Sequence, residues 1–145
     1  MNDVILYREF SSFLLENIET SQHYVKLFED FNSTMETLKS AISNRFQCTI
    51  YYKGERKGII DDGFRKIEPY ALGVNHLGNN VLRAWLIEGK SRRGNIDRSQ
   101  VPGWRLYRID RIFSISLSTQ TFTKPQKKYN SEDSHMTEVM YSVQF

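Results

Sequence analysis

The sequence predicts an α+β fold in which N-terminal helices lead into a small, strongly bent, five-stranded β-barrel. Three observations predict it. Apolar residues recur at three- and four-residue intervals before residue 45, the period of amphipathic helices. From Phe46 onward the period becomes two, the signature of half-buried strands. Glycine and proline are absent before Gly54 and punctuate the chain after it. The length of 145 residues gives one domain with a small extension. The boundaries read as a helical extension over 1–44, a barrel over 45–123, and a linker with a strand-like tail over 124–145.

The first helical stretch carries Val4, Ile5, Tyr7, Phe10, Phe13, Leu14 and Ile18. Thr20-Ser21 interrupts it, and Tyr24, Val25, Phe28 and Phe31 continue the pattern in a second helix. Ser33 to Glu36 fits a capping box, which predicts a third short helix burying Leu38, Ala41 and Ile42. Phe46, Cys48, Ile50 and Tyr52 then alternate as the inward face of a first strand. A second strand over 64–74 is interrupted by Pro69, which predicts an edge or a bulge. Asn75 to Gly78 is a hairpin turn, and a third strand follows over about 80–88. Residues 89–103 form a basic loop with Lys90, Arg92, Arg93 and Arg98. Two more strands cover 104–109 and 112–117. The tail alternates at Val139, Tyr141, Val143 and Phe145, a strand pattern too short to stand without a partner.

Composition excludes several classes. With 39% hydrophobic and 26% charged residues the chain is an ordinary globular one. No apolar run approaches the ~20 residues of a membrane-spanning helix, and the first residues do not form a signal peptide. The single cysteine, Cys48, leaves no internal disulfide and no zinc-site spacing, so the expected compartment is the cytoplasm. The histidines His23, His76 and His135 fall on a helix, a turn and the tail, and no phosphate loop or nucleophile elbow is present. The expectation is a protein that is not an enzyme and needs no metal or cofactor. The charge is uneven: residues 1–44 hold 3 Lys/Arg against 7 Asp/Glu, whereas 45–123 hold 14 against 7. A middle this basic suits an anionic partner, nucleic acid above all, or else an ordinary solvated surface.

Three stretches then stand in order: Arg65-Lys66-Ile67-Glu68-Pro69-Tyr70-Ala71-Leu72, Asn80-Val81-Leu82-Arg83-Ala84-Trp85, and Arg105-Leu106-Tyr107-Arg108-Ile109-Asp110-Arg111-Ile112. Together they resemble the WYL-domain family over about residues 35–122. The third follows that family's Arg-x-aromatic-Arg-aliphatic-Asp-Arg-Ile pattern. In the second, the family's Trp-Tyr-Leu stands as Asn80-Val81-Leu82, with only the leucine kept. The resemblance implies a Sm-like, SH3-type barrel that senses a ligand, commonly a nucleic acid or nucleotide. Because the preceding segment is short and acidic, it implies a free-standing protein of bacterial or phage type rather than one with a DNA-reading winged helix.

The arginines carry the chemistry. A guanidinium is a planar fork of donors that matches phosphate oxygens and stacks on bases. The candidate ligand residues are Arg65, Tyr70, Arg83, Arg105, Arg108 and Arg111, with Trp85, Trp104 and Tyr107 interleaved. Charge on a small barrel tracks a nucleic-acid backbone while rings stack on bases. On a straight strand Arg105, Tyr107 and Arg111 share a face and Arg108 opposes them, unless the chain bends near Asp110. Plainer roles stand beside these: Arg111 pairing with Asp110 or Glu68, and Tyr107 and Trp85 as core. The expected function is a ligand-sensing module that binds single-stranded nucleic acid or a nucleotide-derived anion and regulates a partner macromolecule. The alternative is an interaction protein docking to a host or phage assembly. Self-association is expected through the apolar helices, with the tail strand added to a neighbour's sheet edge or, alternatively, folded back on its own barrel.

Overall fold

The computed structural model describes residues 18–54, 62–89 and 102–145. One helix, α1 (Ile18–Asn44), precedes the strands β1 (Phe46–Tyr52), β2 (Gly63–Val74), β3 (Asn80–Gly89), β4 (Gly103–Arg108), β5 (Ile112–Thr121) and β6 (Glu138–Ser142). A 3-10 turn, Ile109–Arg111, joins β4 to β5. The first helical stretch, Val4 through Leu14, and the basic loop with Lys90, Arg92, Arg93 and Arg98 lie outside the described residues.

The second and third expected helices are one continuous helix, so Ser33 caps nothing. Its carbonyl accepts from Thr37 Oγ1 at 2.9 Å, and Thr34 Oγ1 donates to the Asp30 carbonyl at 2.9 Å. With no glycine or proline to break the ladder, these hydroxyls bond back one turn and the cap motif is absorbed into the helix. Leu38, Ala41 and Ile42 are fully buried, as the periodicity requires, with Phe31 and Met35 packed beside them. Arg45 follows the helix at φ 55°, in the left-handed region common just past a helix end. It is fixed from outside: its carbonyl accepts from Phe122 N at 2.9 Å and its guanidinium donates to the Gln144 carbonyl at 2.9 Å.

The strands form one antiparallel sheet in the order β4-β3-β2-β1-β5, with β6 added against β2. This corrects the expected five-stranded barrel. β4 and β5 occupy opposite edges of the sheet's main path, which is open: no ladder pairs them. A three-residue connector spans at most about 11 Å, so the sheet must curl for one edge to feed the other. Alternation counts strands and says nothing of closure, and β5 beyond Ile112 is mostly exposed. There is also a sixth strand. In β2 the register slips between Pro69↔Ala84 and Ala71↔Arg83, leaving Tyr70 as the extra residue of the bulge that Pro69 predicts. Before the bulge β2 pairs with β1 (Cys48↔Ile67); beyond it β6 takes that side (Leu72↔Tyr141). The tail strand expected to cross to a neighbour therefore pairs within its own chain.

At the other end of β2 the hairpin turn closes on Asn75, whose side-chain oxygen accepts from Leu77 N and Asn79 N at 3.0 Å each. Gly78 there takes φ 81°, open to glycine at no steric cost. The core joins Leu38 and Ile42 of α1 to Cys48, Ile50, Ile67, Leu72, Leu82 and Leu86 of the sheet. Cys48 is wholly buried, and burial pushes its thiol up to about 12. Within the stretch expected as a polar linker Tyr129 packs against the core, and Phe122 and Met136 on either side of it are buried.

Candidate functional site

The end of β1, the start of β2 and the end of β4 converge on two tyrosines. Tyr52 and Tyr107 meet edge to face with ring centroids 4.9 Å apart, and the Arg65 guanidinium lies 5.0 Å from the Tyr52 ring. Arg65 is only 3% exposed and donates to the carbonyls of Tyr52 at 3.3 Å and Gly63 at 3.1 Å. The pairs Leu82↔Tyr107 and Ala84↔Arg105 put Arg105 and Tyr107 on one face, and Val81↔Arg108 puts Arg108 on the other, as the alternation predicts. Arg105 is held through the Trp104 carbonyl at 2.8 Å.

The bend at Asp110 is present as the 3-10 turn, and it sorts the last two arginines. Asp110 takes Arg108 in a two-pronged contact at 3.0 and 2.6 Å. Arg111 instead donates to the Gly54 carbonyl at 3.0 Å, while Gly54 N donates to Asp62 Oδ1 at 2.7 Å. Tyr52 Oη accepts from Arg108 N at 3.0 Å, tying this turn to β1. In the middle sits the Tyr107 hydroxyl, buried and with no hydrogen-bond partner among the described residues. Burial pushes it up to about 12, against the opposing pull of Arg65 and Arg105.

Tyr70 and Arg83 lie elsewhere. Tyr70 is fully buried at the bulge, with Trp104, Phe122, Tyr129 and Phe145 around its ring at 4.7 to 5.9 Å. Its hydroxyl donates to Glu68 Oε1 at 3.1 Å and accepts from Gln126 N at 3.0 Å. Burial, the largest cause, and the Glu68 carboxylate raise its pKa well above the usual tyrosine range. It joins the tail to the sheet and offers no platform to a ligand. Trp85 and Tyr107 are likewise buried, in keeping with the core role. Arg83 is turned to the tail, gripping Asp133 at 2.6 and 3.1 Å and reaching His135 Nδ1 at 3.1 Å.

Of the ligand residues named from the sequence, Arg65, Arg105, Arg108 and Arg111 lie around the strand ends and the 3-10 turn, with Arg108 on the opposite face, and Tyr70 and Arg83 lie at the tail. Tyr52 and Asp133 are not among them. Tyr52 had a signal, the inward parity of β1. Asp133 had none, being one acid in a polar stretch 50 residues from its partner. Among the described residues no cluster of metal-ligating side chains occurs, and no helix is long and apolar enough to cross a membrane.

No family model and no curated protein matches the chain. Among solved structures it is similar to Proteasome accessory factor B/C (PafBC) of Arthrobacter aurescens, with a TM-score of 0.50 and 21% identity. The match covers 68% of this chain and 13% of that one, so the chain corresponds to a small part of PafBC. A likeness at this identity is one of fold. It bears on the fold alone and lends nothing to the expected free-standing form.

Proposed function

We propose that the chain is a ligand-sensing regulatory module that binds single-stranded nucleic acid or a nucleotide-derived anion where Arg65, Arg105 and Tyr107 meet. One observation carries the reading: a buried Tyr107 hydroxyl without a hydrogen-bond partner among the described residues, in the positive field of Arg65 and Arg105. An orphaned buried polar group costs about 1–3 kcal/mol, and such a group in a stable fold calls for an explanation. An anionic group drawn to these strand ends meets the positive charge of Arg65 and Arg105 beside the buried phenol. Arg111, fixed at the neighbouring turn, extends the positive field along a strand of phosphates. The reading involves no catalytic step, and its output is a partner's different affinity for the bound and free forms.

Fluorescence anisotropy with short labelled single-stranded RNA and DNA tests it. Arg105→Ala is expected to weaken binding about tenfold or more while circular dichroism stays unchanged. Unchanged affinity in that variant, or no binding at low salt, overturns the assignment.

The second reading, a protein that docks to an assembly without nucleic acid, has its own observation. Phe64 and Phe113 stand 64% and 71% exposed on the outside of the sheet. Co-purification with a large complex, insensitive to nuclease, would favour it. Self-association through residues 1–44 remains part of either reading, and light scattering tests it.

A further inference from the structure

Where the tail crosses β3 and β4, on the side of the sheet away from the Tyr107 hydroxyl, a half-open cleft of about 210 Å³ is left. Arg83 and Trp104 supply its sheet wall, and Lys128, Tyr129, Asp133 and His135 its tail wall. Four observations say what it fits. The Trp104 and Tyr129 rings stack at 5.9 Å and 30°, and the indole N–H is already spent on the Lys127 carbonyl at 2.8 Å, so this part presents aromatic surface. Among the described residues lining the cleft Asp133 is the only carboxylate, and Arg83 neutralises it, which leaves the Lys128 ammonium as the remaining formal charge of that lining.

Lys128 is held at φ 62° in the turn closed by Tyr129 N donating to the Gln126 carbonyl at 3.2 Å. The turn sets this lysine at the mouth of the cleft. Finally, 210 Å³ is below the roughly 300–1,000 Å³ of clefts that enclose drug-sized molecules, so this half-open cleft covers part of one small ligand and not a stretch of polymer.

We propose that this cleft binds a small planar anion, a nucleoside monophosphate being its representative, with the ring against Trp104 and Tyr129 and the phosphate on Lys128 and His135. The proposal stands apart from the strand-end reading, since it uses different side chains on a different face. A free nucleotide and the phosphorylated end of an oligonucleotide present the same chemistry. Because the two walls come from the sheet and from residues 128–135, an occupant also ties the tail down.

The full chain, labelled with nitrogen-15, gives two indole signals, from Trp85 and Trp104, and Trp104→Phe identifies the second. Adenosine monophosphate is expected to shift the Trp104 signal saturably, and inorganic phosphate or adenosine to do so more weakly. A short oligonucleotide with a terminal phosphate should match the nucleotide if chain ends are the source, and bind no better than its unphosphorylated form if free nucleotide is. Lys128→Asn, which removes the charge at a φ asparagine tolerates, is expected to weaken nucleotide binding about tenfold. No shift at about 10 mM nucleotide, far weaker than any specific affinity, overturns the proposal. Binding lost in Arg105→Ala but kept in Lys128→Asn assigns the nucleotide to the strand ends and overturns the cleft alone. The reverse pattern leaves the cleft standing and removes the strand-end site.

Discussion

The two halves of β2 are built on opposite rules. Up to Lys66 the strand alternates between buried and exposed or half-buried positions, because one face packs on the core and the other meets solvent. From Ile67 onward every residue is buried, since the tail covers the outer face and β6 supplies the missing neighbour. The first half is paired by β1, a near neighbour in sequence, and presents Arg65 at the strand ends. The second is paired by a strand more than sixty residues later and presents nothing to a ligand. Alternation is therefore a property of a half-covered strand, and its loss marks where a distant segment returns.

Tyr70 is the joint between the halves, so removing it should have the largest effect. Tyr70→Ala is expected to cost about 3–5 kcal/mol in urea denaturation, the range for deleting a buried aromatic. A cost under about 1 kcal/mol would mean that the halves are joined by something else. Asp133→Asn comes next. It leaves the Arg83 guanidinium facing a neutral partner, with an expected loss of about 1.5–3 kcal/mol. Burial alone would raise the Asp133 carboxyl, but the Arg83 and His135 contacts more than offset this and hold it below the usual carboxylate range. A depressed folded-state pKa gives stability that is present above the ordinary value of about 4 and lost as pH falls through the lower one. The Trp104 indole signal should thus report the tail loosening in acid. In Asp133→Asn that acid step should be gone.

Gly73→Ala sharpens the comparison locally. An added Cβ meets the Glu138 carbonyl and the Met136 sulfur, both on the returning segment. A loss of about 1–3 kcal/mol is expected, with amide exchange accelerated across β6 and unchanged in β1. Acceleration in both strands would show that the two halves open as one. Arg108→Ala should do least to stability, under about 1 kcal/mol, because its pair with Asp110 is 31% and 56% exposed while the Arg83–Asp133 pair is 16% and 6%.

What the sequence revealed follows the same division. Local periodicity located the buried stripe of Leu38, Ala41 and Ile42, the inward face of β1 and the bulge at Pro69. It placed Arg105 and Tyr107 together and Arg108 opposite, because parity along one strand needs no tertiary knowledge. It failed where distant segments decide. The capping box at Ser33 was overridden by a continuous helix, the barrel did not close, and the tail strand stayed in its own chain. The Arg83–Asp133 pair was not legible because nothing near Arg83 in sequence announces an acid fifty residues away. Tyr70 read as a stacking surface because its wrapping of Trp104, Phe122, Tyr129 and Phe145 comes from three separate stretches.

The buried thiol of Cys48 has a practical consequence. It is the chain's single cysteine, and its position pairs with Ile67 on one side and Leu117 on the other. Held protonated and out of water, it reacts only in molecules whose β1 has parted from the sheet. A thiol-reactive dye added to the folded protein thus becomes a clock for the opening of the sheet's centre. Running that clock with and without a nucleotide on the tail would show whether events at the edge of the molecule are felt at its middle.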